Sequence, residues 1–314
     1  MSLWSLAALT LLTADPTPVA TPTPEPALPP PEPSEPGGEP SEPELAAAMA
    51  QFDASLNYQR GEVLLPGGLA TLQVPPEFRY LGVDDARRVL ELAWGNPPDE
   101  SVLGMLFPTD VSPVDPEAGW GVVITYRGDG HIDDADAASI DYDELLATMQ
   151  EGLAEENKLR AEKGYPTVTL RGWAESPHYD GATKKLYWAR QLNFGDPVDT
   201  LNYAIRVLGR EGVLELNAVA PMPRLAAVKP AMEQVIDFVE FTPGNRYTDF
   251  DPDSDKSAAY GIGGLIAGGL LASKTGLLKG LWLALLAGKK FVVIGLVAIG
   301  LGLKKLFTRK RPDA

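Results

Sequence analysis

His178 stands two residues before Asp180 and three after Glu175, in the stretch Ala174-Glu175-Ser176-Pro177-His178-Tyr179-Asp180. A histidine beside a carboxylate is the smallest unit of general-base chemistry, an imidazole with a group to orient it. The pair is the seed of one reading, a membrane-bound hydrolase using His178 and scattered carboxylates. Its usual company is missing from the sequence: no serine sits in a Gly-x-Ser-x-Gly turn and no His-Glu-x-x-His helix offers a metal. A polar turn residue is the plainer account of His178, and the same holds for His131 in its Asp-rich turn.

Asp249, Asp251, Asp253 and Asp255 alternate with other residues, and oxygen ligands at that density could hold calcium. Pro252 stiffens the loop, no glycine supplies its sharp turn, and Tyr260 occupies the place of the closing bidentate glutamate. No metal and no cofactor is expected there or elsewhere. The chain has no cysteine, which removes thiolate catalysis, disulfides and zinc–thiolate sites together.

Aromatic residues are dense in one region. Trp173, Tyr187 and Trp188 join His178 as the candidate binding residues, because neighbouring strand residues point to opposite faces and Tyr187 and Trp188 cannot share one core. The plain alternative is packing, since aromatic side chains fit a half-buried pleated surface without a ligand.

These residues need a scaffold, and period and punctuation supply one. Residues 1–14 form a short apolar run with a small residue at Ala14, read as a possible signal peptide although no Lys or Arg precedes it. Residues 15–57 are a Pro-rich linker followed by a short helix from Glu44 to Phe52. Residues 58–245 carry the folded body. Glu62 to Leu65 and Ala70 to Val74 read as a hairpin around Pro66-Gly67-Gly68, and Asp84 is placed to cap a helix running to Ala93. Strands follow at Val102 to Phe107 and Gly121 to Tyr126, then a long helix from Tyr142 to Lys163.

From Thr167 the period becomes two. Val168 to Trp173, Leu186 to Phe194, Leu201 to Leu208 and Val213 to Val219 read as strands, the first of them ended by a turn at Ser176-Pro177. Short turns force antiparallel pairing. A final helix is expected from Leu225 to Phe241. The fold class is therefore α+β, a mostly antiparallel sheet packed with helices, plus a C-terminal hydrophobic transmembrane helix or helical hairpin.

That last element rests on the end of the chain. After an acidic linker at 246–259, residues 260–307 are apolar and Gly-rich, and 308–314 form a basic tail. Phe291 to Leu303 is uncharged, with Phe291, Ile294, Leu296, Ile299 and Leu303 as the membrane-facing residues. Thirteen residues span roughly 20 Å of helix against a hydrocarbon core of about 30 Å. Flanking Lys289, Lys290, Lys304 and Lys305 can lengthen the span by snorkelling. Gly264 and Gly268, and Gly276 and Gly280, have the spacing that lets helix backbones approach in lipid, so a helical hairpin or homo-oligomer contact is one expectation.

From Ser257 onward the chain has nine Lys or Arg and one acidic residue, whereas the whole carries a net charge of −16. So acidic a body repels nucleic acid, and so basic an end suits anionic lipid.

Several runs together resemble a family. Gly119-Trp120-Gly121-Val122-Val123-Ile124-Thr125-Tyr126, Leu186-Tyr187-Trp188-Ala189, Leu201-Asn202-Tyr203, Arg206-Val207-Leu208-Gly209-Arg210, Leu216-Asn217-Ala218-Val219 and Asp249-Phe250-Asp251-Pro252 before Ala258-Ala259-Tyr260-Gly261-Ile262-Gly263 are similar to bacterial predicted membrane-anchored proteins with domain of unknown function 2167. The resemblance spans Tyr58 to Phe307 and implies an exported domain with a membrane segment near the C-terminus. It brings no catalytic or binding residues. The order of hairpin, strands and closing helix also resembles the PsbP and Mog1 sandwich.

The function expected from all this is non-enzymatic binding or scaffolding by an extracytoplasmic domain at the bacterial envelope. Its partners are the lipid bilayer, and a protein or second copy met through the membrane helices. The positive-inside rule puts the C-terminus in the cytoplasm. The alternative topology keeps the body in the cytoplasm beneath an interfacial amphipathic tail.

Overall fold

A computed structural model describes residues 42–115, 119–162 and 166–268. The expected leader, most of the Pro-rich linker, the basic tail, and Phe291, Ile294, Leu296, Ile299 and Leu303 lie outside the described residues. Among the described residues no helix is long and apolar enough to cross a membrane.

The body is α+β. Helix α1 (Glu42–Ala54) leads into the short strand β1 (Tyr58–Gln59), the hairpin β2 (Gly61–Leu64) and β3 (Ala70–Val74), then β4 (Phe78–Leu81) and helix α2 (Val83–Arg88). Strands β5 (Val102–Pro108) and β6 (Gly121–Arg127) precede the long helix α3 (Tyr142–Glu162). The period-two region gives β7 (Thr169–Asp180), β8 (Lys185–Asn193), β9 (Thr200–Leu208) and β10 (Val213–Pro221). Helix α4 (Leu225–Asp237), β11 (Val239–Phe241) and α5 (Ile262–Ile266) complete the described chain.

Eight strands make one sheet in the order β1-β4-β5-β6-β10-β9-β8-β7, and β11-β3-β2 make a second. Every ladder is antiparallel. The large sheet is buried on both faces. One face packs against α4 and the small sheet through Val122, Ile124, Ile205, Leu214 and Leu216 meeting Leu72, Val228, Met232 and Val235. The other is covered in two patches: α1 and α2 over β4 to β6, and α3 with α5 over β7 to β9. Every residue of β9 is buried as a result. Helix α3 begins where Asp141 accepts from the backbone N–H groups of Asp143 and Glu144, a side-chain cap at the positive end of the helix dipole.

Four expectations change in the folded chain. The turn at Ser176-Pro177 is absent, and β7 runs on to Asp180 with register shifts between Leu170 and Gly172, Trp173 and Glu175, and Glu175 and His178. Because β7 is an edge strand, Pro177 can lack its N–H without breaking a ladder bond. Helix α4 stops at Asp237, and Val239, Glu240 and Phe241 pair with β3. An alternating Val-Glu-Phe triplet buries its first and third residues in a sheet, which a helix cannot do. Gly82, not Asp84, is the N-cap of α2, and it makes no side-chain cap bond.

The fourth change concerns the chain before the tail. Asp255 accepts from Arg210 at 2.7 Å from Nε and 2.9 Å from Nη2, and His131 and Ser257 form a parallel bridge. Gly130 sits where that segment crosses: its φ is +107°, and a Cβ there would lie 2.6 Å from the Lys256 carbonyl. The apolar residues that follow pack into the body as far as Ala267, with Ile262, Leu265 and Ile266 buried. Gly264 makes room for the Tyr260 side chain, and Gly268 at φ +73° follows the helix as a left-handed stop. This first glycine pair thus serves packing and termination within the body.

Candidate functional site

The helix-covered face of the large sheet is polar where the two helical patches meet. Register places Thr125 on β6 opposite Glu215 on β10, Glu215 opposite Arg206 on β9, and Arg190 on β8 opposite Asn202. Thr125, Asn202, Arg206, Glu215, Asn217 and Arg190 are all buried. The sequence hides this row, because in β9 and β10 both residue parities are inward and apolar alternation carries no contrast.

Glu215 is the charge at its centre. Its Oε1 lies 3.3 Å from Arg206 Nε and 3.3 Å from Arg127 Nη1. Arg127 also bonds the Tyr260 hydroxyl at 3.0 Å, and Tyr260 in turn donates to Asp129. Ion pairs and hydrogen bonds therefore run from mid-sheet to Tyr260, two residues before α5. Burial, with the neighbouring positive charge of Arg206, pushes the Arg190 guanidinium down to about 9. Arg190 Nη2 donates to the Ile266 carbonyl of α5 at 3.2 Å.

Beside the row a narrow cleft lies between α2 and strands β5, β6 and β10. Thr125 and Asn217 form its floor, Leu90, Val102 and Val123 an apolar wall, and Arg87, Glu91, Asn96 and Asp99 its rim. Helix α2 widens here into a π-turn over Val89–Ala93, with Trp94 N–H donating to the Val89 carbonyl. Such π-turns recur at functional sites because they displace side chains from the regular helical pattern. Asn217 Oδ1 accepts from Arg206 Nη1 at 3.1 Å, which leaves Asn217 Nδ2 as a donor. Among the described residues, Thr125 Oγ1, Asn96 Oδ1 and Arg87 Nε are buried and have no hydrogen-bond partner.

The candidates singled out by sequence separate in space. Trp188 is fully buried on the helix-covered face, with the guanidinium carbons of Arg206 and Arg190 at 5.0 and 5.5 Å from its ring centroid. It walls the polar row and is part of the core. Trp173 is partly buried beside that core and donates from Nε1 to the Tyr142 carbonyl at 3.1 Å. Tyr187 lies on the opposite face, as period two requires, with His178 at 5.2 Å and Tyr203 at 6.4 Å between ring centroids. Burial, followed by the charge of Glu175, raises the Tyr187 and Tyr203 hydroxyls.

His178 is exposed. The carboxylates drawn beside it are engaged elsewhere: Asp180 closes the β7–β8 turn through Ala182 N–H and Thr183 Oγ1, and Glu175 pairs with Lys229 at 2.5 Å. Among the described residues neither carboxylate is hydrogen-bonded to His178. His131 is held between Phe250 and Tyr247, at 3.9 and 4.1 Å between centroids. Its Nδ1 lies 3.2 Å from the Arg210 carbonyl, an acceptor, so that nitrogen carries the proton.

Three carboxylates of the acidic quartet are likewise used internally. Asp249 accepts from Gly244 and Arg246 N–H, Asp251 from Asp253 N–H and the Ser254 hydroxyl, and Asp255 from Arg210.

Fold and cleft together define an α+β protein with a two-face-buried antiparallel sheet and a polar-floored cleft at the seam of its helical cover. The chain belongs to the family described as protein of unknown function (DUF2167), whose model matches residues 57–300. Comparison with curated proteins finds no match.

Among solved structures it is similar to cyanobacterial PsbP from Synechocystis sp. PCC 6803, at a TM-score of 0.35 and 10% identity, over 60% of this chain and 94% of that one. The Saccharomyces cerevisiae Ran-binding protein Mog1p matches at 0.34 and 10% identity, over 63% and 100%. LpqN of Mycobacterium tuberculosis, involved in cell envelope biogenesis, matches at 0.31 and 16% identity, over 62% and 97%. Scores this low carry nothing about function.

Proposed function

We propose that this chain is a binding protein of the bacterial envelope, without catalytic chemistry, carried to the bilayer by its segment from residue 269 onward. The observation that carries the binding half is the cleft. Its floor is a buried polar row whose ion pairs are made within the fold, and among the described residues Thr125 Oγ1, Asn96 Oδ1 and Arg87 Nε beside it lack a hydrogen-bond partner. Leaving such groups buried costs about 1–3 kcal/mol each, a penalty that a polar molecule admitted by opening of the cleft would remove.

The tether half is supported by composition and by the way the chain leaves the body. Residues 269–311 combine apolar runs with a basic end, and α5 immediately before them is packed into the core. The body is therefore coupled to the root of the tail without a slack linker. With the basic end in the cytoplasm, the body stands on the outer side.

Cell fractionation tests the tether. The full chain sediments with membranes and stays there through high-salt washing, whereas a chain ended after Gly268 is released; a full chain found intact in the supernatant overturns the reading. His178→Ala tests the catalytic alternative. Complementation of a deletion strain by this variant at wild-type level supports binding, and loss of complementation by a folded variant defeats it.

A further inference from the structure

We infer that the end of the body carrying the β8–β9 turn and the last turn of α3 is its membrane-facing surface, with Val198 and Leu159 seated at the boundary of lipid headgroups and acyl chains. The inference rests on the reading of residues 269 onward as the tether, and it names the surface that the tether brings to the bilayer.

Strand register places the point where the tail leaves. Tyr260, before α5, is bonded to Arg127, which stands opposite Val213 beside the β9–β10 turn. The far end of α5 is held by Arg190, whose Nη2 donates to the Ile266 carbonyl, and Arg190 stands opposite Asn202, near the β8–β9 turn. Helix α5 therefore runs along the sheet away from the β9–β10 turn and hands the chain over toward the β8–β9 end. Ala267 is fully buried, so the root of the tail cannot swing to another face. Leu270 follows Gly268 by two residues, at most about 7 Å of chain. A tail that takes up lipid from its first leucines holds this end of the body against the bilayer.

That end is apolar at its tip. The turn at 194–199 exposes Val198 at 46%, with Phe194 half-buried behind it against the core. Helix α3 arrives at the same end: Asn157 exchanges two hydrogen bonds of 2.7 Å with the Val168 backbone, and the next residue, Thr169, pairs with Asn193. Leu159, two residues further along α3, is 43% exposed. Among the described residues Leu64, Leu92, Leu159 and Val198 are the exposed large apolar side chains, so half of them stand where the tail departs. The charges around them are matched within the fold, Lys158 with Glu155 at 2.5 Å and Arg171 with Asp199 at 3.8 Å. Apolar contact, rather than attraction to anionic headgroups, is the recognition, and a neutral lipid surface suffices for it.

Leu64 supplies the internal control. It pairs with Thr71, next to Ala70 and its partner Phe241, and the Phe241 ring lies against Gly209 at the opposite end of the sheet.

The chain has no cysteine, so one introduced cysteine carries one fluorophore. Leu159→Cys, Val198→Cys, Leu64→Cys and Ile299→Cys are labelled in the full chain and reconstituted into phosphatidylcholine vesicles with plain or brominated acyl chains. The first three sites are exposed, and each labelled body should melt cooperatively as the parent does. Brominated lipid reaches groups seated about 5–10 Å into the headgroup and acyl boundary, so probes at 159 and 198 should lose about half their emission or more. The probe at 299 should be quenched at least as strongly and the probe at 64 should stay bright. Quenching at 299 with either 159 or 198 as bright as 64 overturns the proposal and leaves the membrane reading standing. Equal quenching at 64 also overturns it, because no end of the body is then preferred. An unquenched probe at 299 overturns the tether and this surface together.

Discussion

The Asp136 carboxylate accepts from the backbone N–H of Ile262 through Oδ1, at 2.9 Å, and from that of Gly263 through Oδ2, at 3.0 Å. One side chain from the loop before α3 thus caps α5, the last described helix, and fixes the point from which the tail departs. Gly261 belongs to the same device: a Cβ there would lie 2.7 Å from both carboxylate oxygens.

Asp136→Ala should therefore destabilise the body by about 1–2 kcal/mol, the range of a lost helix cap. Gly261→Ala displaces the same carboxylate and should produce a similar loss. The double variant should cost little more than either alone, because both remove one interaction. Urea denaturation of the three variants checks this; full additivity would show that the two residues act separately.

Glu215 sits between Arg206 and Arg127 with almost no solvent. Removing its charge strands the buried Arg206 guanidinium, whereas Arg127 keeps its pair with Asp129 at 2.8 Å, and breaking a buried pair costs about 3–5 kcal/mol. Glu215→Gln should lower the urea midpoint accordingly. A variant as stable as the parent would mean that the row gains nothing from the pairing.

Trp188 was legible as a candidate binding residue and is a core residue in the fold. Trp188→Ala should cost roughly 3–5 kcal/mol, the usual range for deleting a large buried aromatic side chain. Trp188→Phe should cost well under that, because among the described residues the indole Nε1 has no hydrogen-bond partner to lose. Thermal melts of both variants decide the matter, and equal losses would point to a hidden polar role for the nitrogen.

His131 should give the body a pH-dependent step. Burial lowers its pKa, while the Arg210 carbonyl and the carboxylates of Asp133 and Asp134 act in the opposite direction. A lowered histidine pKa means that the unfolded chain binds the proton more readily, so stability is full above about pH 6.5 and declines as pH falls through the native value. His131→Phe keeps the stack on Phe250 and Tyr247 and removes the titrating group. Melting temperatures from pH 7.5 to 5 should fall more steeply for the parent than for this variant, and parallel curves would exclude His131 as the source.

A second decline lies lower on the scale. Burial alone would raise the Asp134 carboxyl, but hydrogen bonds from Lys184, Tyr179 and Tyr247 outweigh it and hold the group below the usual aspartate value. Its contribution is present above about pH 4 and is lost as pH falls through the lowered native value. Asp134→Asn should flatten the acid limb of the melting curve between pH 4.5 and 2.5.

The amino-acid sequence by itself determined the antiparallel body. Strands of alternating or apolar residues joined by short turns specify antiparallel pairing with their chain neighbours, as in β7 to β10 and at Pro66-Gly67-Gly68 between β2 and β3, whereas the pairings of β6 with β10, β1 with β4 and β3 with β11 were left to the folded chain. It also determined the contrast between acidic body and basic end, since charge is additive along a chain. The polar row was not legible, because Thr125, Glu215 and Arg206 lie on three strands and become neighbours only through register. Nor could spacing alone tell that Asp255 reaches Arg210, or that Ile262 to Ile266 bury themselves against the sheet. Apolar residues seek any dry surface, and only the folded body shows that one was already within reach.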